Sequence, residues 1–125
     1  MTLHILHIED EPDIREVVDF ALEEGGFRLT QCASGEEALT CAPELSPDLI
    51  LLDVMMPGMD GPTTLQKLRA LQNLARTPVI FMTAKVQPKE CEYLKALGAL
   101  GVISKPFDPM RLGEEIRALL QHPLV

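Results

Sequence analysis

At 125 residues the chain suits one domain able to bury most of its apolar surface in a single core. With 46% hydrophobic and 24% charged residues it has a globular composition, which excludes a disordered or fibrous chain. The net charge of −8, with no run of Lys and Arg, argues against direct nucleic-acid binding and favours an acidic site or a basic partner.

No apolar run approaches the roughly 18 to 20 residues of a membrane span, and the amino terminus lacks a charged region followed by an apolar core. A cytoplasmic protein with no membrane contact is therefore expected. Cys32, Cys41 and Cys91 are odd in number, show no C-x-x-C spacing and fall in apolar segments, which reads as small buried hydrophobes rather than disulfides or a zinc site.

Apolar strand-like runs alternate with helical periods five times, the pattern of an α/β fold with a parallel sheet. The expected strands are 3–8, 28–32, 48–52, 78–82 and 101–104. After the first, Ile14, Val17, Val18, Ala21 and Leu22 form one helical stripe, with Arg15, Glu16, Asp19, Glu23 and Glu24 facing water and Gly25-Gly26 as the stop. Glu11 and Asp13 read as capping and charging the start of this helix. The second helix opens with Ser34 and Glu37 in capping-box spacing, ends before Pro43 and is the shortest. The third follows Gly61-Pro62 with Leu65, Leu68 and Leu71 inward, and the fourth runs from Pro88 to Gly98. The fifth has Asp108 as expected N-cap, Pro109 in the first turn, and Leu112, Ile116, Leu119 and Leu120 on one face. His122 falls in the tail beyond it. His4 and His7 lie three apart on the first strand, so they point to opposite faces and cannot share a metal; His7 reads as a hydrogen-bonded core histidine.

LILLD, 49–53, is a continuous apolar run that ends on one acid, as a strand covered on both faces would. Right-handed crossovers bring the carboxyl ends of all parallel strands to one edge. That edge collects Glu9, Asp10 and Glu11 after strand one, Asp53 after strand three, Thr83-Ala84 after strand four and Lys105-Pro106 after strand five. Packed carboxylates raise one another's pKa unless a cation intervenes. Glu9, Asp10 and Asp53 offer hard oxygen ligands without His or Cys, which suits Mg2+. Three carboxylates, Mg2+ and Lys105 sum to zero charge, a site prepared for a dianionic phosphoryl group, with Asp53 placed as nucleophile. Taken singly, Asp53 could cap a turn, Thr83 could merely end a strand and Lys105 could be a solvated charge. Convergence at four strand ends argues against chance.

The set IEDEPD at 8–13, LLDVMMPGMDG at 51–61, MTA at 82–84 and SKPF at 104–107 spans the chain and resembles the receiver domain of bacterial two-component response regulators. The resemblance implies a flavodoxin-like (βα)5 doubly wound sandwich with strand order 2-1-3-4-5, in one receiver domain over 1–125. It implies that Asp53 accepts a phosphoryl group from a sensor histidine kinase or histidine phosphotransfer protein. It further implies that Glu9, Asp10, Asp53 and the Met55 backbone carbonyl hold Mg2+, and that the Thr83 hydroxyl and Lys105 meet the phosphoryl oxygens. A cis peptide is expected before Pro106. The protein would assist only its own phosphorylation and dephosphorylation, and would signal to a downstream effector through the helix 4, strand 5 and helix 5 face.

Two positions depart from that pattern. Receivers commonly carry Tyr or Phe three residues before the strand-five lysine, where this chain has Val102, so the aromatic part of the Thr83 switch is missing or carried otherwise. Leu100 and Gly101 replace two aspartates that help receivers pair through salt bridges, so a monomer or weak dimer is expected, with Leu100 as an exposed apolar spot. The chain reads as a complete stand-alone regulator rather than a piece of a longer one. The rival readings are an Mg2+-dependent aspartyl-phosphate phosphohydrolase, which would need an acid where Met55 stands, and an unphosphorylated docking module.

Overall fold

The computed structural model describes residues 2–121, and His122 lies outside them. Five parallel strands, β1 (Leu3–Ile8), β2 (Phe27–Cys32), β3 (Leu49–Asp53), β4 (Val79–Thr83) and β5 (Gly101–Ser104), form one sheet in the order β2-β1-β3-β4-β5. The helices between and after them are α1 (Pro12–Leu22), α2 (Gly35–Cys41), α3 (Gly61–Arg69), α4 (Pro88–Ala96) and α5 (Leu112–Gln121). The expected strand order is observed. β2, β3 and β4 differ from their expected limits by a single residue at one or both ends.

Alternation along each strand divides the core in two. Leu6, Ile8, Ile50, Leu52 and Phe81 pack with Ala38, Leu65, Leu68 and Leu94 from α2, α3 and α4. Ile5, Leu49, Leu51, Ile80, Met82 and Ile103 pack with Val18, Leu22, Leu112 and Ile116 from α1 and α5. All four apolar residues of β3 are fully buried, each worth roughly 1.5–3 kcal/mol of burial, so the strand that ends on Asp53 is firmly held.

Helix ends follow local hydrogen bonding. The Ser34 hydroxyl accepts from the Glu37 amide at 3.0 Å, as the capping spacing predicts. α3 is capped by Asp60, whose Oδ1 accepts from the Thr63 amide at 2.9 Å, one residue before the Gly61-Pro62 pair that marks the helix start in the sequence. Leu71 lies beyond α3 and is half-buried.

Other expectations need correction. α5 begins at Leu112 rather than after Asp108, because the Asp108 carboxylate accepts from the Met110 amide (2.9 Å) and its carbonyl from the Arg111 amide (3.0 Å), closing a turn before the helix. In α1, Val18 and Leu22 are buried while Val17 is 38% exposed, and Arg15 turns back to the backbone instead of facing water. Glu11 holds the N-cap position of α1 without a side-chain cap bond. Leu100 is half-buried against the α1/α5 core rather than an exposed spot. Of the free cysteines Cys32 is buried, while Cys41 and Cys91 are half-buried. Among the described residues no helix is long and apolar enough to cross a membrane.

Candidate functional site

β1 and β3 are neighbours at the centre of the sheet, and pairing of Ile8 with Leu52 places the next residues, Glu9 and Asp53, side by side. One carboxylate oxygen each from Glu9, Asp10 and Asp53 lies within 4.8 Å of the others. Glu9 is fully buried and Asp53 is 3% exposed. Lys105 reaches this group from the end of β5, its Nζ 2.6 Å from Glu9 Oε1 and 3.1 Å from Asp53 Oδ1.

The supporting backbone is closely tied. The Glu9 amide donates to the Cys32 carbonyl at 3.0 Å, and Glu9 Oε2 accepts from the Glu11 amide at 3.2 Å. The Val54 amide donates to the Met82 carbonyl (3.0 Å) and the Lys105 amide to the Thr83 carbonyl (2.9 Å), which ties the ends of β3, β4 and β5 together. A Cβ on Gly61 would fall 2.4 Å from the Asp53 carbonyl oxygen, so the start of α3 sits directly on the strand end that presents Asp53. The Lys105–Pro106 peptide is cis, as expected.

Electrostatics follow from crowding acids away from water. Burial, then the nearby Asp53 charge, pushes Glu9 up to about 7 against the pull of Lys105. Burial also raises Asp53. Burial opposes the Lys105 charge, but its bonds to Glu9 and Asp53 prevail and raise it. Asp10 Oδ1 is buried without a hydrogen-bond partner among the described residues. An unpartnered carboxylate oxygen beside two more acids, in a group whose one ammonium cannot neutralise all three, fits a hard divalent cation.

Thr83 ends β4, is 3% exposed, and its Oγ1 accepts from the Lys85 amide at 3.0 Å. Val102 is half-buried against the α2/α3/α4 side of the core. The Met55 side chain is 59% exposed, whereas Met56 is buried. The predicted residues Glu9, Asp10, Asp53 and Lys105 are thus in one cluster, Thr83 lies at the adjoining strand end, and Val102 is on the edge strand.

His7 is fully buried and hydrogen-bonded, its Nδ1 3.0 Å from Gln31 Nε2, as expected for a core histidine. Burial, then Lys105 and Arg15, lowers it to about 3, so it is neutral. His4 pairs instead with the Thr30 hydroxyl at 2.8 Å. Sequence reading missed the parts played by Gln31 and Arg15. Gln31 lies directly opposite His7 in the β1–β2 register, a signal that needs the register to be known.

This arrangement is a doubly wound α/β sheet that gathers an acidic pair, a buried aspartate and a lysine at its carboxyl edge. The family model for the response regulator receiver domain matches residues 5–117, and the chain belongs to that family. It is 36% identical over 121 residues to the DNA-binding response regulator MtrA of Mycolicibacterium smegmatis, covering 97% of this chain and 52% of that protein. The chain spans about half the length of the curated relatives it matches. Among solved structures, the chemotaxis response regulator CheY4 of Vibrio cholerae superposes with a TM-score of 0.88 at 30% identity, covering 95% of this chain and 99% of that one. The receiver domain of the sensor histidine kinase PA1611 of Pseudomonas aeruginosa, solved with a magnesium ion coordinated in its active-site cleft, gives 0.80 at 31%, covering 98% of each chain.

Proposed function

We propose that the chain is one receiver domain that accepts a phosphoryl group on Asp53 from the phosphohistidine of a sensor histidine kinase or phosphotransfer protein. The observation that carries this reading is Lys105 bridging Glu9 and Asp53 at the edge where an unpartnered Asp10 oxygen completes a three-carboxylate group. In the transfer an Asp53 oxygen bonds to phosphorus, the phosphorus–nitrogen bond breaks, and the donor imidazole leaves.

Glu9, Asp10, Asp53 and the Met55 carbonyl would hold Mg2+, which when bound supplies positive charge to the phosphoryl oxygens. Lys105 moves its bond from Asp53 to a phosphoryl oxygen. For the Thr83 hydroxyl to turn toward the phosphoryl group, it must give up its bond to the Lys85 amide. The output passes to an effector through the α4, β5 and α5 face, with Val102 in place of an aromatic switch residue. The chain acts as a cytoplasmic monomer or weak dimer, catalysing only its own phosphorylation and dephosphorylation. A phosphohydrolase is disfavoured because Met55 supplies no acid for a leaving group.

With Mg2+ and acetyl phosphate, mass spectrometry should find one added phosphoryl group on the native chain and none on Asp53→Ala. With Mg2+ and beryllofluoride, amide resonances around Thr83 and Val102 should shift in the native chain alone. Steady turnover of a phosphate ester, or equal labelling of Asp53→Ala, would overturn the reading.

A further inference from the structure

The turn from β1 to α1 carries two of the three clustered acids, and a ring of hydrogen bonds outside the acceptor site encircles it. Gln31 Nε2 lies 3.0 Å from His7 Nδ1 and 2.9 Å from the Arg15 carbonyl oxygen. A carbonyl only accepts, so this nitrogen is the amide NH2; its second hydrogen meets His7 Nδ1, which therefore acts as an acceptor. From the first turn of α1 the Arg15 guanidinium reaches back, Nη1 donating to the Glu9 carbonyl oxygen at 2.7 Å. The ring joins His7 on β1, Gln31 on β2, Arg15 on α1 and Glu9, and it closes along the chain through Ile8.

We propose that Arg15 and Gln31 are positioning residues for phosphoryl acceptance, holding the Glu9–Asp10 peptide against the mutual repulsion of the acids so that their oxygens are already gathered for a divalent cation. The proposal rests on the acceptor reading of Asp53. Three features support it. The donor to the Glu9 carbonyl is a charged guanidinium, which makes a stronger bond than a neutral donor. Gln31 spends both amide hydrogens within the ring, so it fixes the α1 backbone from which Arg15 extends as well as the β1 side chain next to the turn. The Glu9 amide donates to Cys32, Oε2 accepts from Glu11 and Oε1 lies beside the Lys105 ammonium, and among the described residues Arg15 is the side chain that bonds the carbonyl side of the Glu9–Asp10 peptide. Groups one step removed from metal ligands commonly set affinity in this way, and their loss costs roughly 10- to 100-fold.

The test is calorimetric titration of the chain with Mg2+ at pH 8, on the native protein and on Arg15→Met, Arg15→Lys and Gln31→Met, with far-ultraviolet circular dichroism to establish folding. Arg15→Met and Gln31→Met should each weaken Mg2+ about tenfold or more. Arg15→Lys, which retains a charged donor, should recover most of that loss, a rescue that lost packing alone would not give. Gln31→Met removes no charge, so a folding failure of Arg15→Met leaves it to decide. Folded variants with native Mg2+ affinity, or Arg15→Lys no better than Arg15→Met, would overturn the proposal while leaving the acceptor reading intact. A native chain that binds no Mg2+ would refute the acceptor reading, and this proposal with it.

Discussion

Replacing Lys105 by methionine keeps most of the side-chain stem and removes the ammonium that lies 2.6 Å from Glu9 Oε1 and 3.1 Å from Asp53 Oδ1. At an effective dielectric of about 20 these contacts represent gross attractions of about 6 and about 5 kcal/mol. Desolvation of a side chain only 15% exposed cancels much of that, and breaking such a buried pair costs about 3–5 kcal/mol when the remaining charge has no relief. Here relief exists, because Glu9 already titrates at about 7 and takes up a proton once the ammonium is gone. In chelator, without metal, the loss in unfolding free energy should be about 3 kcal/mol at pH 8. At pH 5 Glu9 is protonated in the native chain, one negative charge fewer faces Lys105, and the loss should shrink to about 1–2 kcal/mol. Urea unfolding followed by far-ultraviolet circular dichroism is the assay, since the chain has no Trp and one Tyr. A loss of equal size at both pH values, or a larger one at pH 5, would refute this account of the cluster.

Glu9 keeps its proton to about pH 7 when folded against a usual value of 4.5. The folded state therefore binds the extra proton between those values, and stability falls as pH rises from 4.5 to about 7, by at most on the order of 3 kcal/mol. Glu9→Gln should flatten the urea midpoint across that window, and an unchanged slope would contradict it. Gly61→Ala drives a Cβ against the Asp53 carbonyl and should cost about 1–3 kcal/mol while shifting the Asp53 amide resonance; a neutral result would mean that α3 can slide away from the strand end. Asp60→Ala removes the α3 cap and should cost about 1 kcal/mol in the same unfolding assay, with no change if water caps the helix equally well.

The acidic edge was legible from sequence because each contributor sits at a strand end, and strand ends are marked by the change from apolar runs to polar residues. Glu9, Asp10, Asp53 and Lys105 could be gathered by topology alone. Contacts that depend on register were not legible: that Gln31 faces His7 follows from which residue of β2 lies beside which residue of β1. The start of α5 was misplaced because Asp108 and Pro109 suit a turn as well as a helix N-terminus, and hydrogen bonds to Met110 and Arg111 choose the turn. Helical period alone places Val17 inward, yet its side chain is 38% exposed while Val18 and Leu22 take the core.

Lys105 follows β5, an edge strand separated by β4 from the strand that bears Asp53. Its place in the chain also orders events during synthesis. A ribosome adding about 5–20 residues per second completes the three acids several seconds before it reaches the lysine. Until then any sheet formed by the first four strands would hold carboxylates that repel one another and lack their ammonium. Arrival of the last strand relieves that repulsion, so electrostatics favours its docking in addition to the apolar contacts of Ile103. Translation that stalls before β5 leaves a chain with its acids but without the cation that bridges Glu9 and Asp53.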